Sequence, residues 1–169
     1  SRVRRQRQMC IRDSSEADQK RKGYVKYARE TADNILDLMR QRTLKVSHYI
    51  HLRAELCTDT LVEELYEFSP NDRVGLVSLM DHTPGQRQFR DTAKLRVYLM
   101  GKHGYDDAGV EAHFTRLKEL QSLYLEKHRA ATVAYAKEVD AVLASHDDTT
   151  ADDVSASAGE GLSLIHISE

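Results

Sequence analysis

His48-Tyr49-Ile50-His51-Leu52-Arg53-Ala54-Glu55 alternates with a strict two-residue period. In an extended chain that period sends Ile50, Leu52 and Ala54 to one face and His51, Arg53 and Glu55 to the other. The pattern predicts a strand with one aliphatic and one polar face. A second strand is expected at Val74-Gly75-Leu76-Val77-Ser78-Leu79-Met80-Asp81-His82, apolar on both faces as a buried parallel strand is, ending at the loop signal Thr83-Pro84-Gly85. A third, Ala141-Val142-Leu143-Ala144-Ser145-His146, runs into Asp147-Asp148-Thr149-Thr150.

Helical grammar fills the intervals. Glu16 to Thr43 is rich in helix formers, with Val25, Ala28, Ile35, Leu36, Leu38 and Met39 at helical spacing. Thr58 or Asp59 is the expected N-cap of a short amphipathic helix carrying Leu61, Val62, Leu65, Tyr66 and Phe68, which stops at Ser69-Pro70. Phe89 to about Val139 reads as helix, interrupted at Gly101 and around Gly104, with a new start at Asp106-Asp107. Thr150 and Asp153 have capping-box spacing for one more helix. Strands alternating with helices, and no hairpin turns between strands, predict a parallel α/β fold without a domain boundary.

The termini follow a different logic. Arg4 to Asp13, with the start of Ser14, can be encoded by a string ending AGATGTGTATAAGAGACAG, and Leu162 to Glu169 by a string beginning CTGTCTCTTATACACATCT. Each is the reverse complement of the other, a relation that natural termini have no reason to show. Residues 1–14 and 162–169 are therefore expected to be translated sequencing adapter around a native insert of residues 15–161, an open reading frame cut at both ends. The alternative, a basic N-terminal arm for nucleic acid, gives way to that match.

Setting the ends aside takes five arginines, Asp13 and Glu169 from the 25 basic and 27 acidic residues, leaving 20 and 25, a net charge of -5. A mildly acidic chain without a basic stripe argues against a nucleic-acid surface. Cys57 is then the only cysteine, which excludes a disulfide framework and makes a cytoplasmic compartment the natural expectation. No apolar run approaches the roughly 18 residues of a membrane span.

Each expected strand ends in a metal-competent side chain: Glu55, His82 and His146. In a (β/α)8 barrel the C-terminal strand ends surround one site, so ligands far apart in sequence converge there. The polar faces would then point into the barrel, where His, Arg and Glu are costly unless paired, solvated or bound to metal. Taken singly, each histidine is as well explained by structure, and Glu55 by pairing with Arg53. Together on three successive strand ends they point to a metal site.

The loop after His82 adds Gln86, Arg87 and Gln88, a forked guanidinium and two amides suited to phosphate oxygens. Asp147 and Asp148 can bind a second metal, orient His146, or cap the next helix. Parity turns Asp81 away from the barrel. His48, His103, His113 and His128 carry no assigned role, Cys57 reads as a packed residue, and Tyr98, Tyr105 and Tyr124 read as helix packing.

Leu76-Val77-Ser78-Leu79-Met80-Asp81-His82-Thr83-Pro84-Gly85-Gln86-Arg87-Gln88-Phe89 resembles the central signature of the phosphonate-pathway diphosphatases of the amidohydrolase superfamily, which act on alpha-D-ribose 1-methylphosphonate 5-triphosphate in the carbon-phosphorus lyase pathway. His51 to Leu56 and Leu143 to Thr150 are similar to two further blocks of that family in the same order. The resemblance implies a TIM barrel of which about three of eight strands are present. It implies a divalent metal, zinc, held by Glu55, His82 and His146, with Arg53, Asp147 and Asp148 in support and Arg87, Gln86 and Gln88 on the phosphates. The substrate it implies is a phosphorylated ribose phosphonate, cleaved to the 5-phosphate and pyrophosphate.

Ligand motifs expected from the remaining strands lie outside this chain, so the isolated piece is expected to be inactive and, with open sheet edges, poorly folded. Two rivals remain. Another amidohydrolase, such as a sugar-phosphate deacetylase, shares the Glu, His, His order but not the loop after His82. A noncatalytic interaction module would instead use Phe89 to Val139 as its working surface and bind no metal.

Overall fold

The computed structural model describes residues 5–11, 27–86, 89–146, 148, 151–159 and 163–165. Its elements are β1 (Arg5–Ile11), α1 (Tyr27–Arg40), β2 (His48–Glu55), α2 (Leu61–Leu65), a 3-10 turn (Pro70–Asp72), β3 (Val74–Met80), α3 (Thr92–His103), α4 (Asp107–Glu138), β4 (Val142–His146), α5 (Ala151–Gly159) and β5 (Ser163–Ile165). β2 covers the alternating octapeptide from end to end. The first helix is described from Tyr27 onward, and the part of the expected helix before it, like the Thr150 to Asp153 cap, lies outside the described residues.

The strands lie in sequence order, β1-β2-β3-β4-β5, and every neighbouring pair is parallel. Parallel neighbours need a crossover, and the helices supply it. The three expected strands form the centre of the sheet. Two more, β1 and β5, flank them, and both lie in segments read above as adapter. β1 pairs with β2 from Arg5↔His48 to Ile11↔Ala54, and β5 pairs with β4 from Ala144↔Ser163 to His146↔Ile165. Edge strands present rows of open N–H and C=O groups, which an extended flanking backbone can satisfy through its main chain.

One apolar core lies on a single face of this sheet. Ile50, Leu52 and Ala54 of β2 and Val77 and Leu79 of β3 pack with Ala32 and Leu36 of α1, Leu61 and Leu65 of α2, and Tyr135 and Ala136 of α4. The C-terminal half of α4 thus lies on the sheet. Its N-terminal end pairs instead with α3, where Leu95, Leu99, Val110 and Phe114 make a separate small cluster.

Three boundaries differ from expectation. The N-cap of α2 is Thr60, whose hydroxyl donates to Glu64 Oε1 at 2.6 Å, while Thr58 Oγ1 donates to the Glu55 carbonyl at 3.2 Å and closes the end of β2. α3 runs through Gly101 and ends at Gly104, whose φ of 68° lets its N–H reach the Met100 carbonyl. β3 stops at Met80, because the Asp81 carboxylate turns back to accept from the Thr83 N–H at 2.9 Å, leaving Asp81 and His82 beyond the strand. At Asp106-Asp107 the expected start holds: Asp106 accepts from the Gly109 N–H and caps α4.

Candidate metal centre

Register sets the site before any side chain does. Glu55 lies opposite Met80, and Leu79 lies opposite Ser145. Carrying the second register on by one residue sets Met80 beside His146, so β2, β3 and β4 end level, about 4.8 Å apart. His82 follows two residues after Met80.

Glu55 is buried, and both its oxygens turn toward His82. Oε1 accepts from the His82 backbone N–H at 3.1 Å, and Oε2 meets the ring Nδ1. Phe89 packs edge-to-face on the His82 ring with centroids 5.3 Å apart. A buried carboxylate oxygen and an imidazole nitrogen, here in direct contact, are donor types that a divalent ion such as zinc takes. Two other polar groups on this face are paired: His51 Nε2 with Ser78 Oγ at 2.8 Å, and Arg53 Nε donating to Met80 Sδ at 3.1 Å. Pairing relieves the burial cost of both.

A second group overlaps the first. Ligand atoms of Glu55, Cys57 and Asp81, all buried, lie within 4.8 Å of one another, a spacing able to hold a metal ion. Burial, reinforced by the Asp81 charge, pushes the Cys57 thiol far above its ordinary range, and the thiol donates to Asp81 Oδ1 at 3.3 Å. Asp81 also accepts from the Thr83 N–H and, through Oδ2, from Gln121 Nε2 at 2.6 Å. Cys57 can therefore serve a metal only by losing a proton that its surroundings hold in place.

The remaining candidates divide by location. His146 ends β4, but its side chain lies outside the described residues, as do Arg87, Gln88 and Asp147. Gln86 is exposed and helps line a cavity of ≈ 160 Å³ with Leu56, Leu79, Met80, Asp81, Leu125 and Arg129. Asp148 is buried and accepts from Ser145 Oγ at 2.6 Å, whose parity is that of the helix-packed Leu79 and Leu143.

Sequence reasoning missed the contribution of α4. Gln121 reaches Asp81, Arg129 faces the cavity, and His128 Nδ1 lies 3.0 Å from the Leu56 carbonyl. The seven-residue interval from Gln121 to His128 was the available signal, since it keeps both on one helix face.

Fold and site together define a parallel α/β protein with a buried carboxylate–imidazole pair at the carboxyl edge of its sheet. No family model matches the chain, and no solved structure matches it. Over 106 residues, 63% of its length, it is 36% identical to the alpha-D-ribose 1-methylphosphonate 5-triphosphate diphosphatase of Escherichia coli (strain K12). The chain spans 28% of that relative's length. Among the described residues no helix is long and apolar enough to cross a membrane.

Proposed function

We propose that the chain is an internal part of a metal-dependent phosphohydrolase of the amidohydrolase type. Its parent would cleave alpha-D-ribose 1-methylphosphonate 5-triphosphate to the 5-phosphate and pyrophosphate in phosphonate breakdown. The observation that carries this reading is the contact of Glu55 with His82 at the ends of adjacent parallel strands. The likeness to the diphosphatase supports the substrate class. The sequential parallel order of β2, β3 and β4, without the reversal of a doubly wound sheet, supports a (β/α)8 barrel completed by strands beyond this piece. In that frame residues 1–14 and 162–169 are adapter, and the piece alone is inactive.

Glu55, His82 and His146 would hold the metal, which supplies Lewis acidity toward a phosphoryl oxygen and toward water. The chain's own residues do the rest. Glu55 fixes the backbone and ring of His82 at once, so the two donors keep their mutual angle. Arg87, flanked by Gln86 and Gln88, binds and orients the polyphosphate, for which a planar fork is better suited than a point charge. Arg53, held against Met80, would support the ligands, together with Asp147 and Asp148.

The test is recovery of the uninterrupted gene, followed by metal analysis and a pyrophosphate-release assay on the full-length protein. Bound zinc and pyrophosphate release, both lost in His82→Ala, are expected. A full-length protein free of metal, or a gene without the other barrel strands, would turn the assignment to an interaction module.

A further inference from the structure

α4 carries a polar ladder that neither its amphipathicity nor the metal reading requires. Gln121, His128 and Tyr135 are spaced by seven residues, so they stack on one helix face about 10.5 Å apart. Each makes a hydrogen bond to the sheet side: Gln121 Nε2 to Asp81 Oδ2 at 2.6 Å, His128 Nδ1 with the Leu56 carbonyl at 3.0 Å, and Tyr135 Oη to the Phe68 carbonyl at 3.1 Å. Two of these contacts land one residue from the candidate ligands. Leu56 follows Glu55, and Asp81 precedes His82.

We infer that Gln121 and His128 are positioning residues that lock the Glu55–His82 pair from behind, through the backbone on which each ligand is mounted. The inference deepens the metal reading and rests on it for its purpose. Asp81 is the junction of the lock. It gathers the Cys57 thiol from the loop after β2, the Thr83 N–H from the loop after β3, and the Gln121 amide from α4, so three elements meet on one buried carboxylate. His128 fixes the other side. Its ring stacks on Tyr124 at 4.8 Å, and it is 2% exposed, so it has little freedom to release Leu56. Each ligand is then held in two ways, by the other ligand and by α4. Supporting contacts of this kind typically change metal affinity by about 10–100-fold.

The experiment uses the full-length protein recovered from the uninterrupted gene, with residues numbered as in this chain, and reads two signals. The His82 ring resonances are followed by histidine NMR without metal, and Co²⁺ is titrated with its visible ligand-field band as the readout. Gln121→Leu is expected to broaden or split the His82 signals while those of His113, on the far end of α4, stay in place. It should also weaken Co²⁺ binding at least about 10-fold. Gln121→Lys, which restores a donor to Asp81, should recover both signals, a result that a generally loosened fold would not give. His82 signals unchanged in Gln121→Leu and in His128→Leu would overturn the inference. Disturbed His82 signals in a chain that binds no Co²⁺ would keep the lock and sink the metal reading.

Discussion

The two faces of β2 and β3 are built from the same strands and obey opposite rules. Toward the helices Ile50, Leu52, Val77 and Leu79 are aliphatic and buried, with no polar atom to satisfy. On the other face His51, Glu55 and Ser78 are equally buried, and each needs a named partner. Burial alone therefore does not separate core from site in this molecule. Partner demand does: an aliphatic side chain is satisfied by any close packing, whereas a buried ionisable group constrains geometry at the scale of a hydrogen bond.

The contrast is sharpest where one substitution on each face is compared. Leu52→Ala, at 0% exposure, should cost about 2–5 kcal/mol, a large fraction of an ordinary domain's stability and a marked fall in Tm. A thermal melt of the parent chain and the variant measures this, and also decides whether the isolated chain folds despite its truncated sheet. Glu55→Gln should do the reverse. It keeps an acceptor for the His82 N–H and should shift stability by only about 1 kcal/mol, while metal affinity drops by more than about 100-fold, read by Co²⁺ titration. Comparable stability losses from both substitutions would erase the distinction between the faces.

Smaller effects refine it. Tyr135→Phe keeps the ring against Tyr66 and deletes only the donor to the Phe68 carbonyl, so a loss of about 1 kcal/mol is expected by denaturant titration. His128 gives the pH test. Burial lowers its pKa from 6.5, the ordinary value, so the unfolded chain binds the proton more readily than the folded one. Its contribution to stability is thus fully present above about pH 6.5 and is lost as pH falls through the lower folded value. His128→Asn, which keeps a donor near the Leu56 carbonyl but does not titrate, should lose less stability between pH 7.5 and pH 5 than the parent, as the shift of the denaturation midpoint reports.

Local pattern made the sheet legible, and distance in sequence hid the rest. β2 could be read to the residue because each position from His48 to Glu55 reports its face by parity. The α4 start was equally plain, since a cap is made within three residues, by Asp106 on Gly109. The end of β3 was not, because the alternation continues through His82 while the Asp81 carboxylate is recruited by loop and helix groups. Gln121, His128 and Tyr135 were legible only as a shared helix face, for a related reason. Their partners lie 40, 72 and 67 residues away, and no local period announces a partner at that range. Of the site, strand parity placed Glu55 and His82 near each other. It could not reveal that Glu55 uses both oxygens on one residue.

The turn at Gly104 between α3 and α4 lies at the tip of a helical hairpin with its own small cluster, beyond the half of α4 that rests on the sheet. Chain length there is uncoupled from chemistry. A graft of extra residues between Lys102 and Asp106 would lengthen the hairpin outward and leave the strand ends where they are, which makes this tip the natural attachment point for a reporter or an affinity handle.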